Sequence, residues 1–93
     1  MMKQKPSDPL VVGNKKYYKY KIMWEDIVGD SVLATHNEFN NMTCAEIHTE
    51  CWIFNKTPDY LYSFASYYTD NGEMEFGDRN VYPRSVVKKM LRI

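Results

Sequence analysis

EIHTECWIF at residues 46–54 and YLYSFASYYT at residues 60–69 decide the fold. Both runs are crowded with β-branched and aromatic side chains, which suit a pleated, half-buried surface better than a helix. Between them stands Asn55-Lys56-Thr57-Pro58-Asp59, a stretch of turn chemistry. Two apolar runs joined by so short a polar break predict a β-hairpin.

Working outward, Tyr17–Ile27 alternates Tyr18, Tyr20, Ile22 and Trp24 with Lys19, Lys21 and Met23. A period of two with one apolar face predicts a strand. Thr35 then fits an N-cap and Glu38 its capping-box partner. Only Phe39 and Met42 supply an apolar stripe after it, enough for one or two helical turns. Downstream, Asp70-Asn71-Gly72-Glu73 is a tight hairpin turn, because Asn-Gly readily takes positive φ. A short strand at Glu73–Phe76, a turn at Gly77-Asp78, and Val81–Ser85 as a strand end entering a 3₁₀ turn follow. In the tail, Val87, Leu91 and Ile93 suit a strand, while Val86, Met90 and Ile93 suit a helix. With so few residues left, a closing strand is expected. Residues 1–16 hold Pro6, Pro9, Gly13 and Asn14 and read as a flexible basic leader from which Leu10-Val11-Val12 can still dock.

The chain has 93 residues, 44% hydrophobic and 26% charged, with aromatics at 15%. That composition fits one globular domain, residues 17–93, and excludes a wholly disordered chain. So few short strands cannot make a normal two-sheet sandwich, and closure would remove their exposed edges. The expected fold is therefore mainly β: a small SH3-like barrel of about five strands with one short helical turn. The alternative is an α+β roll with a C-terminal helix.

Trp24-Glu25-Asp26-Ile27, Gly29-Asp30-Ser31, Trp52 and Tyr82-Pro83-Arg84-Ser85-Val86-Val87-Lys88-Lys89 together resemble a group of small bacteriophage proteins of unknown function. Those proteins have a Trp-x-Asp start, an apolar hairpin and a late Ile-Pro-Lys-like step before the last strand. Here Tyr82 replaces the aliphatic residue and Arg84 the Lys. The resemblance implies a phage or phage-derived origin, expression inside a bacterial host and a compact β fold. It carries no activity.

The formal net charge is zero, yet the charges are segregated. Lys3, Lys5, Lys15, Lys16, Lys19 and Lys21 against Asp8 leave residues 1–21 at +5. Residues 22–78 set Lys56 alone against eleven acids, and residues 79–93 are again +5. If the first and last strands pair, one side of the domain is basic and the other acidic, a layout suited to a charged partner.

Motifs for chemistry are weak. Cys44, His48 and Cys51 would share a face on a helix, but on a strand Cys51 points away from the other two. The thiols are expected to be buried as small apolar groups, with no metal and no cofactor. Ser31, Ser63, Ser66 and Ser85 lack a nucleophile-elbow context, and Glu25, Asp26 and Asp30 read as a solvated loop. Asp70–Glu73 lacks the spaced ligands of a calcium loop, and no Gly-rich array exists to cradle phosphate. No enzyme is expected. No apolar run approaches the roughly 20 residues that span a bilayer, and the N-terminal stretch has no signal-peptide core. Host cytoplasm is the expected compartment, which makes the Asn-x-Thr triplets at Asn41 and Asn55 incidental.

Two binding roles remain. In the first, the protein binds a host or phage protein through an acidic and aromatic face built from Trp52, Phe54, Tyr60, Tyr62, Glu46 and Glu50. The 60–68 strand is apolar on both sides, so it either packs under the leader or meets another protein, self-association included. In the second, a basic seam of Lys19, Lys21, Arg84, Lys88 and Arg92 binds single-stranded nucleic acid, with Trp52 and Phe54 as stacking platforms. The sequence pI near 6.7 and the acidic centre weigh against the second role.

Overall fold

The computed structural model describes residues 5–93. Among these residues nine strands form in chain order: β1 (Leu10–Val12), β2 (Lys15–Tyr17), β3 (Lys19–Asp26), β4 (Ala45–Lys56), β5 (Tyr60–Phe64), β6 (Ser66–Asp70), β7 (Glu73–Gly77), β8 (Asn80–Pro83) and β9 (Val87–Arg92). A five-residue helix, α1 (His36–Asn40), lies between β3 and β4, and a 3₁₀ turn (Arg84–Val86) joins β8 to β9. The main sheet is antiparallel with five strands in the order β8-β5-β4-β3-β9. β1-β2 and β6-β7 are separate two-stranded hairpins. The chain is mainly β. Among the described residues no helix is long and apolar enough to cross a membrane.

β3 shows why the alternation folds as it does. Ile22 is fully buried, with Tyr20 and Trp24 packed beside it, while Lys21 between them is exposed. Trp24 Nε1 donates to Thr49 Oγ1 at 3.1 Å, satisfying its polar edge against β4. The core on this face is Ile22, Cys51, Ile53, Leu61 and Tyr82, with Val86, Val87 and Met90 packed on its margin. Ser63 Oγ is buried beside the Cys51 thiol and the Tyr82 hydroxyl, without a well-formed hydrogen bond to either. Fully burying one such aliphatic side chain stabilises by about 1.5–3 kcal/mol. β8 is an edge strand, which tolerates Pro83 because an outward-facing edge position needs no N–H for the ladder.

Several expectations are corrected. The tail is β9, paired antiparallel with β3, so the roll with a C-terminal helix is excluded. The 60–69 run is two strands: β5 ends at Phe64, and β6 leaves the main sheet to pair with β7. The first main-sheet strand begins at Lys19, and Tyr17 instead ends β2. The segment expected as leader contains β1 and most of β2, and Ser7 Oγ donates to the Ile93 carbonyl at 2.8 Å. Cys44 is exposed, unlike Cys51. Other readings are met: Asn71 and Gly72 take φ of 48° and 80° in the β6-β7 turn, and Thr35 and Glu38 form a reciprocal capping box.

Candidate functional site

β4 sorts its side chains by alternation, and the two faces of the sheet are unlike. Cys51 and Ile53 point into the aliphatic core, while Trp52 and Phe54 point out the other way. A register shift between Ile53 and Asn55 bends the ladder at Phe54. Bulges of this kind re-aim side chains and raise local twist. Phe54 meets Phe76 of β7 at 5.0 Å between ring centroids and stacks on Tyr17 of β2 at 6.1 Å. Phe64, fully buried, takes edge-to-face contacts from Phe76 and Tyr17 at 4.7 and 5.4 Å. Trp52 stacks on Phe64 at 5.6 Å, and Tyr67 of β6 meets its ring edge-on. Edge-to-face pairs at these separations add roughly 0.5–1.5 kcal/mol each beyond burial.

This second cluster is not sealed. A groove of about 680 Å³ opens beside it, floored by Phe54, Tyr62, Phe64 and Phe76. Val81 forms one wall, and Asp78, Arg79 and Asn80 stand at the rim. Phe54 keeps 47% of its surface in water and Val81 54%. On the far side of Phe54, Lys15 and Lys16 flank a smaller hollow shared with Tyr17. The groove is thus aromatic at its floor and charged along its edges.

No family model, curated protein or solved structure matches the chain.

The residues anticipated for a protein contact divide. Phe54 and Tyr62 line the groove, and Trp52 buttresses it through Phe64. Tyr60 is exposed at the start of β5, opposite Pro83. Glu46 and Glu50 share Trp52's face of β4 by alternation, yet Glu46 sits eight residues from Phe54, roughly 27 Å along an extended strand. Glu46 Oε2 lies 3.0 Å from His48 Nε2, and Glu50 is the cross-strand partner of Lys21. Glu46 therefore lies at the far end of β4 from the groove, while Glu50 stays next to Trp52 on the same face. Phe76, Arg79 and Val81 complete the groove and were not anticipated. Their signal was faint: a lone aromatic and a lone arginine in the turn-rich stretch Gly72-Glu73-Met74-Glu75-Phe76-Gly77-Asp78-Arg79.

The basic residues also divide, although β3 and β9 do lie side by side. Lys19 Nζ rests 5.3 Å from the centre of the Trp52 ring. Arg92 instead stacks its guanidinium on Tyr18 at 4.2 Å and reaches the Ser7 carbonyl. Arg84 and Lys88 border a shallow hollow with Lys89, where Lys88 Nζ donates to Ser85 O at 3.0 Å. Lys21 faces Glu50. These five residues form no single strip.

Cys51 is sealed, and desolvation pushes its thiol above the usual value, opposed in part by Ser63. A reactive cysteine needs the reverse, an accessible and depressed thiol. His48 is exposed and paired with Glu46, while Cys51 points into the core three residues on. The strand geometry separates the residues that a metal would need together.

Proposed function

We propose that this protein performs no chemistry and binds another protein through the aromatic groove between β5, β7 and β8. The carrying observation is the cluster itself. Phe54, Phe64 and Phe76 converge from three strands, one of them, β7, outside the hairpin expected to supply the site, and the groove over them stays open. Aromatic side chains around a desolvated pocket with a charged rim are the usual anchors of protein interfaces. The groove suits an extended segment inserting an apolar side chain. The resemblance to phage proteins supports a host or phage protein as the partner and a bacterial cytoplasm as the setting.

The same sheet supports the finer reading of the fold. The order β8-β5-β4-β3-β9, with a 3₁₀ turn linking the two edge strands, fits a small SH3-like barrel. Single-stranded nucleic acid is the weaker partner. The Trp52 ring already carries Phe64 against it and Lys19 over it, leaving little open face for a base.

A photoreactive benzoylphenylalanine in place of Tyr62 tests the reading in a bacterial lysate. The crosslinked protein, once purified, is titrated against the wild type and Phe54→Ser. Affinity is expected to fall at least about tenfold in the variant, as for a central aromatic contact. Equal affinity for both proteins sinks the proposal.

A further inference from the structure

The connection between β3 and β4 is long, acidic and unpacked. Every residue from 25 to 44 is exposed. Within it Leu33 keeps 97% of its surface in water, Ile27 89%, Val32 74% and Phe39 70%. Scattered single apolar residues on a surface are ordinary, but a contiguous set of this kind marks a contact surface. The segment is nonetheless shaped. The capping box holds α1, and the Val32 N–H donates to Asp30 Oδ1 at 2.9 Å. Val32, Leu33, Phe39 and Met42 then surround a hollow of about 420 Å³. Local hydrogen bonds give this arm a form, and no core residue covers it.

The fold is correspondingly extended. Its Cα radius of gyration is 17.5 Å, against about 12 Å for a compact domain of this length. Its accessible surface is 7779 Å², against about 5,600 Å² for a compact monomer of 11.0 kDa. The excess, roughly 2,000 Å² per chain, is the scale that obligate subunit interfaces bury.

We infer that the arm of one copy docks in the aromatic groove of a second copy of this chain. The inference rests on the groove being a docking site and names its occupant. Charge favours the match. The arm carries Glu25, Asp26, Asp30 and Glu38 and no Lys or Arg, while Arg79 stands at the groove rim beside Asp78, and Lys15 and Lys16 flank the hollow just beyond Phe54. Placement favours a second copy over the same chain. The arm leaves the sheet at Asp26 and Ala45, nine residues and about 30 Å along β4 from Phe54. Each copy then presents one arm and one groove, which closes either reciprocally as a dimer or head to tail as a ring.

Light scattering on the eluting full-length protein at about 100 µM reads the outcome, a concentration that saturates a micromolar contact. The wild type is expected at an integer multiple of 11.0 kDa. The arm triple variant Val32→Ser/Leu33→Ser/Phe39→Ser is expected at the monomer mass, and so is Val81→Asp, which sets a carboxylate against the acidic arm. Both keep the fold, since all four positions are exposed. Mixing the two variants restores an assembly, because one supplies the groove and the other the arm. A monomeric wild type overturns the inference while leaving the groove for a different protein. An assembly lost in the arm variant but kept in Val81→Asp also overturns it, by placing the arm elsewhere and removing this support for the groove.

Discussion

The two faces of the β4-β5 pair solve the same burial problem differently. On one, Ile22, Cys51, Ile53, Leu61 and Tyr82 close on each other and on the 3₁₀ turn. On the other, Tyr17, Phe54, Phe64 and Phe76 assemble from four separate strands and leave a groove. Aliphatic side chains on adjacent strands fill space with few gaps. On the open face the ladder shifts register at Phe54 and the rings stay uncovered on one side. The closed face holds the fold, and the open one leaves Phe54 and Val81 about half in water.

The sharpest way to break that contrast is to compare Leu61→Ala with Phe54→Ala in urea unfolding. Leu61 is fully buried, so its truncation is expected to cost about 2–5 kcal/mol. That is a large share of the roughly 5–14 kcal/mol available to a domain of this length. Phe54 is half-exposed, and its loss is expected to cost about 1 kcal/mol. Equal costs would make the open cluster a second core and the groove a byproduct of packing.

The closed face was legible in the sequence and the open one only in part, through Phe54, Tyr62 and Trp52. Ile22, Ile53 and Leu61 fall on strand alternation within single runs, and the 46–54 and 60–69 hairpin follows from local chemistry. The capping box and the Asn71-Gly72 turn are equally local. Nothing local marks the break at Ala65, because YLYSFASYYT keeps strand propensity throughout. The cluster needs that break, since it returns Phe76 against Phe64 through β6 and β7. Tyr17 ends β2 although its pattern reads as the start of β3, for a similar reason. The period-two series Tyr17, Lys19, Lys21 runs without a break across the junction of β2 and β3. Alternation also grouped Glu46 with Phe54, because period two reports a face and says nothing of distance along it.

Alkaline titration sharpens the contrast at the next scale. Desolvation raises the Cys51 thiol above 9.0 and the Tyr82 hydroxyl above 10.0, both on the closed face. A group whose folded value is raised holds its proton more tightly when folded. Its stabilisation is full below the unfolded value and is lost as pH rises through the folded one. Melting temperature is therefore expected to stay level up to about pH 8.5 and to fall above pH 9, near where these groups ordinarily titrate. Cys51→Val should blunt the first part of that fall. A thiol reagent at neutral pH gives a kinetic version: Cys44 labels at once, and Cys51 reacts only as the protein unfolds. Equal labelling rates would mean that the closed face opens as readily as the arm.

The smallest effect is expected in the arm, where structure is local and carries no core. Hydrogen bonds from Thr35 hold the Glu38 carboxyl below its ordinary 4.5. A depressed carboxylate stabilises above its unfolded value, and that contribution is lost as pH falls through the folded one. Acidification below about pH 4.5 should therefore fray α1 while leaving the sheet intact, and Thr35→Ala should do the same at neutral pH. Amide chemical shifts of residues 35–41 read the fraying, and the melting temperature of the isolated chain should move by less than about 1 °C. In the assembled protein the same substitution should weaken association, because the surface around Phe39 is presented by that turn. A Thr35→Ala variant that lowers the melting temperature of the dilute monomer by several degrees would show the arm packed on its own sheet, and the contrast between holding and binding surfaces would fail there first.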